Sequence, residues 1–492
     1  MKKQTIFLLI CGLSLMMSCS KQLDQQPYGA ISSSEFYKTE ADAIGAVTAE
    51  YNRMQNYTFG WVVTGFDCWP DLMSPDVESH QDFTSLRQIH ESTETPDNDV
   101  MDSSWQELYN GVFLANQAME KIGAMPDNVF TTGTKARLIA ESHFLRAWFN
   151  FRITMLWNEA PLVTHTLSLS NLYVPKSPRQ AFFDLIEQDL LSADSVLPVS
   201  YGAADVGRVT KGAAEAYLGQ LYLWENQPDK AAAELKKVID GGNYGLVDDY
   251  ASLFNGTAPN SKESVFEIQF LSNTGLNVGS AASWVNAPNG EGMVNGGGWG
   301  WLRPTGDLVA EFETTPKEDP RLEASIFRKG DVYNGITFQD LVNGSGYAYK
   351  KWVVAAGMEP NFPWYSPVNQ CLMRYAEVLL MYAEAENNLG SPAEAIPYIN
   401  QVRARPSVGM PAIASSLTQA EVQAAIRHER RVELCLEGKV GFDLRRWEGA
   451  NLGNYMQSKG YANFVEGKND WLPIPQSEID KSQGTLSQSP NW

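Results

Sequence analysis

The sequence predicts an all-α dominated fold: a tetratricopeptide-like α-solenoid scaffold with long loop-rich insertions and minor β hairpins. Three observations predict it. Apolar residues recur every three to four positions in block after block, the period of helices with one buried face. Two of those blocks share the small-and-large spacing of a stacked helix pair. Between them lies a stretch rich in Gly and aromatics that lacks this period.

The elements follow in chain order. Residues 35–54 have helical composition, and Ser33 and Ser34 offer a cap region before them. Residues 55–100, with Pro70, Pro75, Pro96 and many Asp and Ser, read as loop. Helix resumes over 102–122, where Trp105, Leu108, Val112, Ala115 and Met119 mark one face. Further helices are expected over 134–157, 179–197, 210–226 and 228–239. In the last two, Leu218, Gly219, Tyr222, Ala231, Leu235 and Val238 fit a tetratricopeptide pair. Tyr382, Ala383, Ala395, Ile399 and Val402 repeat those offsets, with Glu386 where the Tyr would stand. Small residues let two helices cross closely, and one pair alone buries too little, so neighbours must stack. Residues 264–270 read as a strand, and the chain after Gly449 as irregular. The expected organisation is a signal peptide over 1–18 and one unit over 19–492. That unit divides into a helical part at about 19–245, a loop-rich ligand face at about 246–367 and a helical repeat with closing segment at about 368–492.

Composition narrows the function classes. A formal charge of −20 disfavours nucleic acid and polybasic attachment to anionic lipid, since both need clustered Lys and Arg. Membrane contact is expected instead at the N-terminus. Lys2 and Lys3 precede an apolar stretch of residues 6–17, too short to span a bilayer but suited to a signal peptide. It ends in Met16-Met17-Ser18-Cys19, a lipobox-like site with Met16 in the usual Leu position, so Cys19 is the expected lipid anchor. Losing Lys2 and Lys3 takes the formal charge from −20 to −22. Cys68, Cys371 and Cys435 then form neither a disulfide framework nor a CxxC site, and read as buried thiols.

No catalytic motif is present. His428-Glu429-Arg430-Arg431 lacks the second His of a zinc site, and GxSxG, the P-loop and a strand-to-helix GxGxxG are absent. Asp76, Glu78 and Asp82 alternate as calcium ligands could, but without the EF-hand Gly and Glu. No metal and no cofactor is expected. A glycosidase carboxylate pair depends on separation across a cleft, which spacing in sequence does not give.

The order of motifs resembles the RagB/SusD family. Leu23-Asp24 and Pro27 follow Cys19; Trp105, Leu108-Tyr109, Gly111 and Asn116 lie on an early helix. Glu141, Phe144-Leu145-Arg146-Ala147 and Pro161-Leu162-Val163 come next, then the run from Gly207 to Ala214. The run from Arg374 to Ala385, Glu429-Arg430-Arg431, Glu433-Leu434, Glu437-Gly438 and the run from Phe442 to Trp447 follow. Leu472-Pro473-Ile474-Pro475 and Glu478-Ile479 close the series. The charged signatures read as scaffold, with Arg430 and Glu433 able to pair on one helix, Arg374 with Glu377, and Arg446 with a neighbour. The resemblance implies a non-catalytic outer-membrane lipoprotein, lipid-anchored and facing the cell surface, that captures glycan or oligosaccharide and delivers it to a SusC-like TonB-dependent transporter. Capture of peptide or another oligomer uses the same scaffold, and glycoside hydrolysis is a third reading.

The ligand face is expected in the aromatic loops, since exposed rings suit the apolar faces of sugars. Tyr57, Phe59, Trp61, Phe66 and Trp69 crowd one loop; Trp284, Trp299 and Trp301 lie in the glycine-rich stretch; Tyr347, Tyr349, Trp352, Trp364 and Tyr365 follow. Trp69, Trp284, Trp299 and Trp301 are the candidate ligand-binding residues. The competing reading is that such rings pin long loops onto helices.

Overall fold

The computed structural model describes residues 36–55, 69–79, 83–272, 278–280, 282–289, 292–293, 298–340, 344–355, 357–358 and 365–492. Seven helices lead: α1 (Glu40–Gln55), α2 (Thr84–Glu91), α3 (Asp99–Ala124), α4 (Thr134–Trp157), α5 (Arg179–Asp194), α6 (Lys211–Trp224) and α7 (Pro228–Asp240). Three short ones cross the central stretch: α8 (Ala282–Val285), α9 (Gly306–Glu311) and α10 (Pro320–Ser325). The last six are α11 (Tyr375–Asn388), α12 (Pro392–Arg403), α13 (Gln419–Glu433), α14 (Val440–Glu448), α15 (Leu452–Ser458) and α16 (Gln476–Lys481). Strands come only as antiparallel pairs among the described residues. β1 (Val77–Ser79) pairs with β5 (Leu302–Pro304), β2 (Ala160–Pro161) with β3 (Lys176–Ser177), and β4 (Ser264–Ile268) with β10 (Gln370–Arg374). β6 (Ile326–Arg328) pairs with β9 (Tyr347–Tyr349), and β7 (Val332–Tyr333) with β8 (Ile336–Thr337).

The repeat positions have the packing their side chains dictate. A Cβ on Gly219 would lie 2.4 Å from Leu235 Cγ, so only glycine lets α6 and α7 cross there. In the second pair, Ala383 and Ala395 are fully buried between α11 and α12, and the Tyr382 and Tyr398 rings meet edge to face at 4.7 Å. Helix α11 also packs on α7 and α13, which stacks the pairs into one solenoid. One apolar cluster runs from Met54 to Ile474 and takes in residues from all three stretches of the chain.

Three readings of the sequence need correction. Residues 69–91 are not plain loop: Trp69–Met73 is a 3-10 turn, β1 follows, and Thr84–Glu91 is helical. These pieces are too short for periodicity to register and are held by long-range pairing instead. The chain after Gly449 likewise contains α15 and α16. The charged signatures are buried, as expected of scaffold, but their partners differ. Glu433 accepts from Arg374, Arg405 and Arg321 at 2.8–3.0 Å, not from Arg430, which turns to Asp443 and Glu377. Arg374 binds Glu263, Glu433 and Glu437 rather than Glu377. Arg446 pairs with Glu384 and Asp443. Cys371 and Cys435 are free and buried, and Cys68 lies outside the described residues.

Candidate functional site

The aromatic site begins with backbone constraints in the glycine-rich stretch. Gly298 N–H donates to Pro288 O, Gly300 N–H to Ala287 O, and Trp301 N–H to Val285 O. A Cβ on Gly298 would stand 2.2 Å from the Ala287 carbonyl oxygen, so nothing larger than glycine fits. Gly300 takes φ +57°, where side chains are disfavoured. The chain then enters β5, whose partner β1 sets Glu78 opposite Arg303. Arg303 is buried; its Nε donates to Gly300 O at 3.3 Å, and its Nη1 lies 3.5 Å from Asp340. Asp340 in turn accepts from the Gly344 and Gly346 amides.

This frame holds three rings in register. Trp299 and Trp301 stack with centroids 4.7 Å apart and planes 30° apart. Phe83, at the start of α2, stacks on Trp301 at 4.8 Å and 19°. Phe83 and Trp301 pack against the main core, whereas the half-buried Trp299 belongs to none of the core clusters. Stacking fixes the rings before any ligand arrives, so little side-chain freedom remains to be lost on binding. Beside them, burial raises the Glu78 carboxyl above its ordinary range, with Arg303 opposing that rise.

The other candidates divide clearly. Trp69 is 3% exposed and part of the main core, with no partner for its indole N–H among the described residues. It pins the 69–73 turn and presents no face to solvent in this structure. Tyr349 and Trp352 are buried too, Trp352 donating to Leu436 O at 3.2 Å. Trp284 stands on α8, but its side chain lies outside the described residues, as do Cys19, Tyr57, Phe59, Trp61, Phe66, Asp82 and Trp364. Asp76 is held by Arg431, so it is not an open oxygen ligand. Sequence reasoning missed Phe83, Arg303 and Glu78 as parts of the site. Nothing in the sequence pairs Phe83 with a tryptophan more than two hundred positions away.

The scaffold clamps this site from below. Thr305 N–H and Oγ1–H donate to the Asp76 and Pro75 carbonyls at 2.9 and 2.7 Å. Arg431 on α13 then binds Asp76, Asp307 and Glu311, gripping the start of β1 and helix α9 beyond β5.

Comparison with known proteins agrees with this architecture. Residues 262–492 match the SusD family, and residues 34–223 match a family described as starch-binding and associating with the outer membrane. A SusD-like protein of Formosa agariphila, P2, is 26% identical over the full length of both chains. A SusD superfamily protein from Bacteroides vulgatus superposes with TM-score 0.79 at 25% identity, over 93% of this chain and 100% of its own. A laminarin-binding SusD-like protein gives TM-score 0.78 at 26% identity, with 93% and 100% coverage. With two matches that together span most of the chain and whole-length structural likeness, the protein belongs to the RagB/SusD family.

Proposed function

We propose that this protein captures glycan at the outer membrane and passes it to a SusC-like TonB-dependent transporter, without catalysis of its own. The Phe83–Trp301–Trp299 stack carries the reading. Prearranged rings suit the C–H faces of pyranose units, and the likeness to a laminarin-binding relative points the same way. Among the described residues no helix is long and apolar enough to cross a membrane, so attachment would rest on acylated Cys19. Delivery into the cell would need a separate barrel. The non-catalytic reading is supported by the buried carboxylates Glu263, Glu429, Glu433 and Glu437, which are engaged by Arg side chains in the core.

The test is binding of the purified mature chain to laminarin, starch and a peptide panel, followed by Trp299→Ala and the Trp299→Ala/Trp301→Ala pair. Each lost ring should weaken glycan binding by about 1–2 kcal/mol, roughly five- to thirty-fold, while helical content stays intact. Peptide binding without glycan binding, or an unaffected double variant, would overturn the reading; sugar release during the assay would overturn its non-catalytic part. For the anchor, Cys19→Ala should move the protein out of the membrane fraction in cells lacking the transporter. Retention there would refute acylation at this position.

A further inference from the structure

A cavity of about 390 Å³ shares no residue with the aromatic stack. It forms where segment 249–255, helix α10, the β7–β8 hairpin and residues 350–355 meet residues 407–408. We propose that this cavity is a second ligand site, for one end of a neutral saccharide one or two rings long.

Size is the first argument. Ligand pockets run from roughly 300 to 1,000 Å³, so this one takes a small molecule, not a polymer laid lengthwise. Its floor is already closed. Arg321 is wholly buried and committed to Asp319, Glu429 and Glu433, and Tyr250 Oη donates to Glu433 O at 2.8 Å. These groups shape the bottom without offering charge to a guest. Apolar wall comes from Phe254, Val353 and Val408, and from the ring of Tyr333, whose hydroxyl is tied to Val354 O.

The rim is polar and underused. Among the described residues, the Glu323 side chain makes no hydrogen bond or ion pair, and the Lys350 side chain makes only a cation–π contact, 5.4 Å from the Phe327 centroid. Asp249 spends one carboxylate oxygen on Ala251 N–H, and Asn255 spends its side-chain oxygen on Thr257. The rim therefore holds acceptors and donors together above an apolar wall. That combination matches a molecule with hydroxyls at its edge and C–H groups on its face. Two carboxylates against one ammonium disfavour an anion, which separates a neutral sugar from a uronate or a sulfated one.

The site adds to the aromatic platform and does not depend on it. It would take a branch or chain end while the rings hold the backbone of the glycan, and the two can fail separately. The experiment is calorimetry and ligand-observed NMR on the mature chain with methyl glycosides of glucose, galactose, mannose and xylose, and with glucuronate. At least one neutral glycoside should bind in the millimolar range. Glu323→Gln and Lys350→Met should each weaken it about tenfold, as loss of a hydrogen bond to a charged group does, and Trp299→Ala should leave it unchanged. Neither rim side chain is in an ion pair, and methionine at 350 keeps an apolar stem near the Phe327 ring, so both variants should fold, which circular dichroism checks. Three results would overturn the proposal: no glycoside binding, binding lost with Trp299→Ala but kept in the rim variants, or a preference for glucuronate. A chain that binds glycosides here but is indifferent to Trp299→Ala with laminarin would sink the platform and leave this site standing.

Discussion

The charged centre of the solenoid and the aromatic stack above it are built by opposite means. Around Glu433, the cations Arg321, Arg374, Arg405, Lys351 and Arg403 interlock with Glu263, Glu429, Glu433, Glu437 and Asp319 in the dry interior. The stack uses three rings on irregular backbone, with glycines supplying the close turns. In the first region every charge has an ionic partner, and Glu433, Arg374 and Arg321 each have three, so little is left to offer a substrate. The second leaves Trp299 half-buried, so part of its ring surface stays accessible. Density of charged motifs marks scaffold in this protein, and scarcity of regular structure marks the proposed ligand face.

Breaking one member of each region should give effects of different kind. Burial alone would raise the Glu433 carboxyl, but Arg405, Arg374 and Arg321 hold it far below the ordinary carboxylate range. Glu433→Ala leaves those three guanidiniums short of a partner inside the core. Losing one partner from a buried ion pair costs about 3–5 kcal/mol, so a large drop in denaturation midpoint is expected, with ligand affinity of the surviving folded fraction unchanged. A drop under about 1 kcal/mol would mean the network is far less dry than its burial indicates.

Arg431 joins the two regions and should show both effects. Arg431→Met removes the grip of α13 on Asp76, Asp307 and Glu311, while the methionine still fills the stem's volume. About 2–3 kcal/mol of stability should go, together with a weaker glycan interaction, because β1 and β5 lose their common support. Stability loss without any change in binding would uncouple the stack from the scaffold.

The solenoid was legible because its rules are local. Gly219 and Leu235 stand at the spacing that brings them into contact, and the structure puts them in contact. The ion pairs were legible in kind but not in partner. Arg430 and Glu433 are three apart on one helix, yet Arg430 turns to Asp443 on the next helix and Glu433 to Arg405 beyond the preceding one, since burial rewards saturation of charge over proximity in sequence. The stack was half legible. Trp299 and Trp301 announce themselves between glycines, while Phe83 looks like any loop aromatic until β1 pairs with β5. Trp69 shows the reverse error, since an aromatic-rich loop gives no sign of which ring goes inward.

The smallest expected effect tests how the two regions respond to pH. His428 on α13 meets Glu311 at 2.7 Å through Nδ1 and Glu313 at 3.2 Å through Nε2, beside Glu429, Arg431 and Arg403. Burial would lower its pKa, but the hydrogen bond to Glu311 and the charges of Glu429, Glu311 and Glu313 outweigh that and raise it above 6.5. A raised folded-state pKa means the protonated ring stabilises the fold. Its contribution is complete below the unfolded value near 6.5 and is lost as pH rises through the folded value. Wild-type Tm measured from pH 5.5 to 9 should therefore fall relative to His428→Gln, with the gap narrowing toward the alkaline end. Glycan affinity should follow only weakly, because Arg431 still holds α9 when His428 is neutral. A gap that widens with pH would mean the neutral ring is the stabilising form, and the charge assignment at the base of the stack would be reversed.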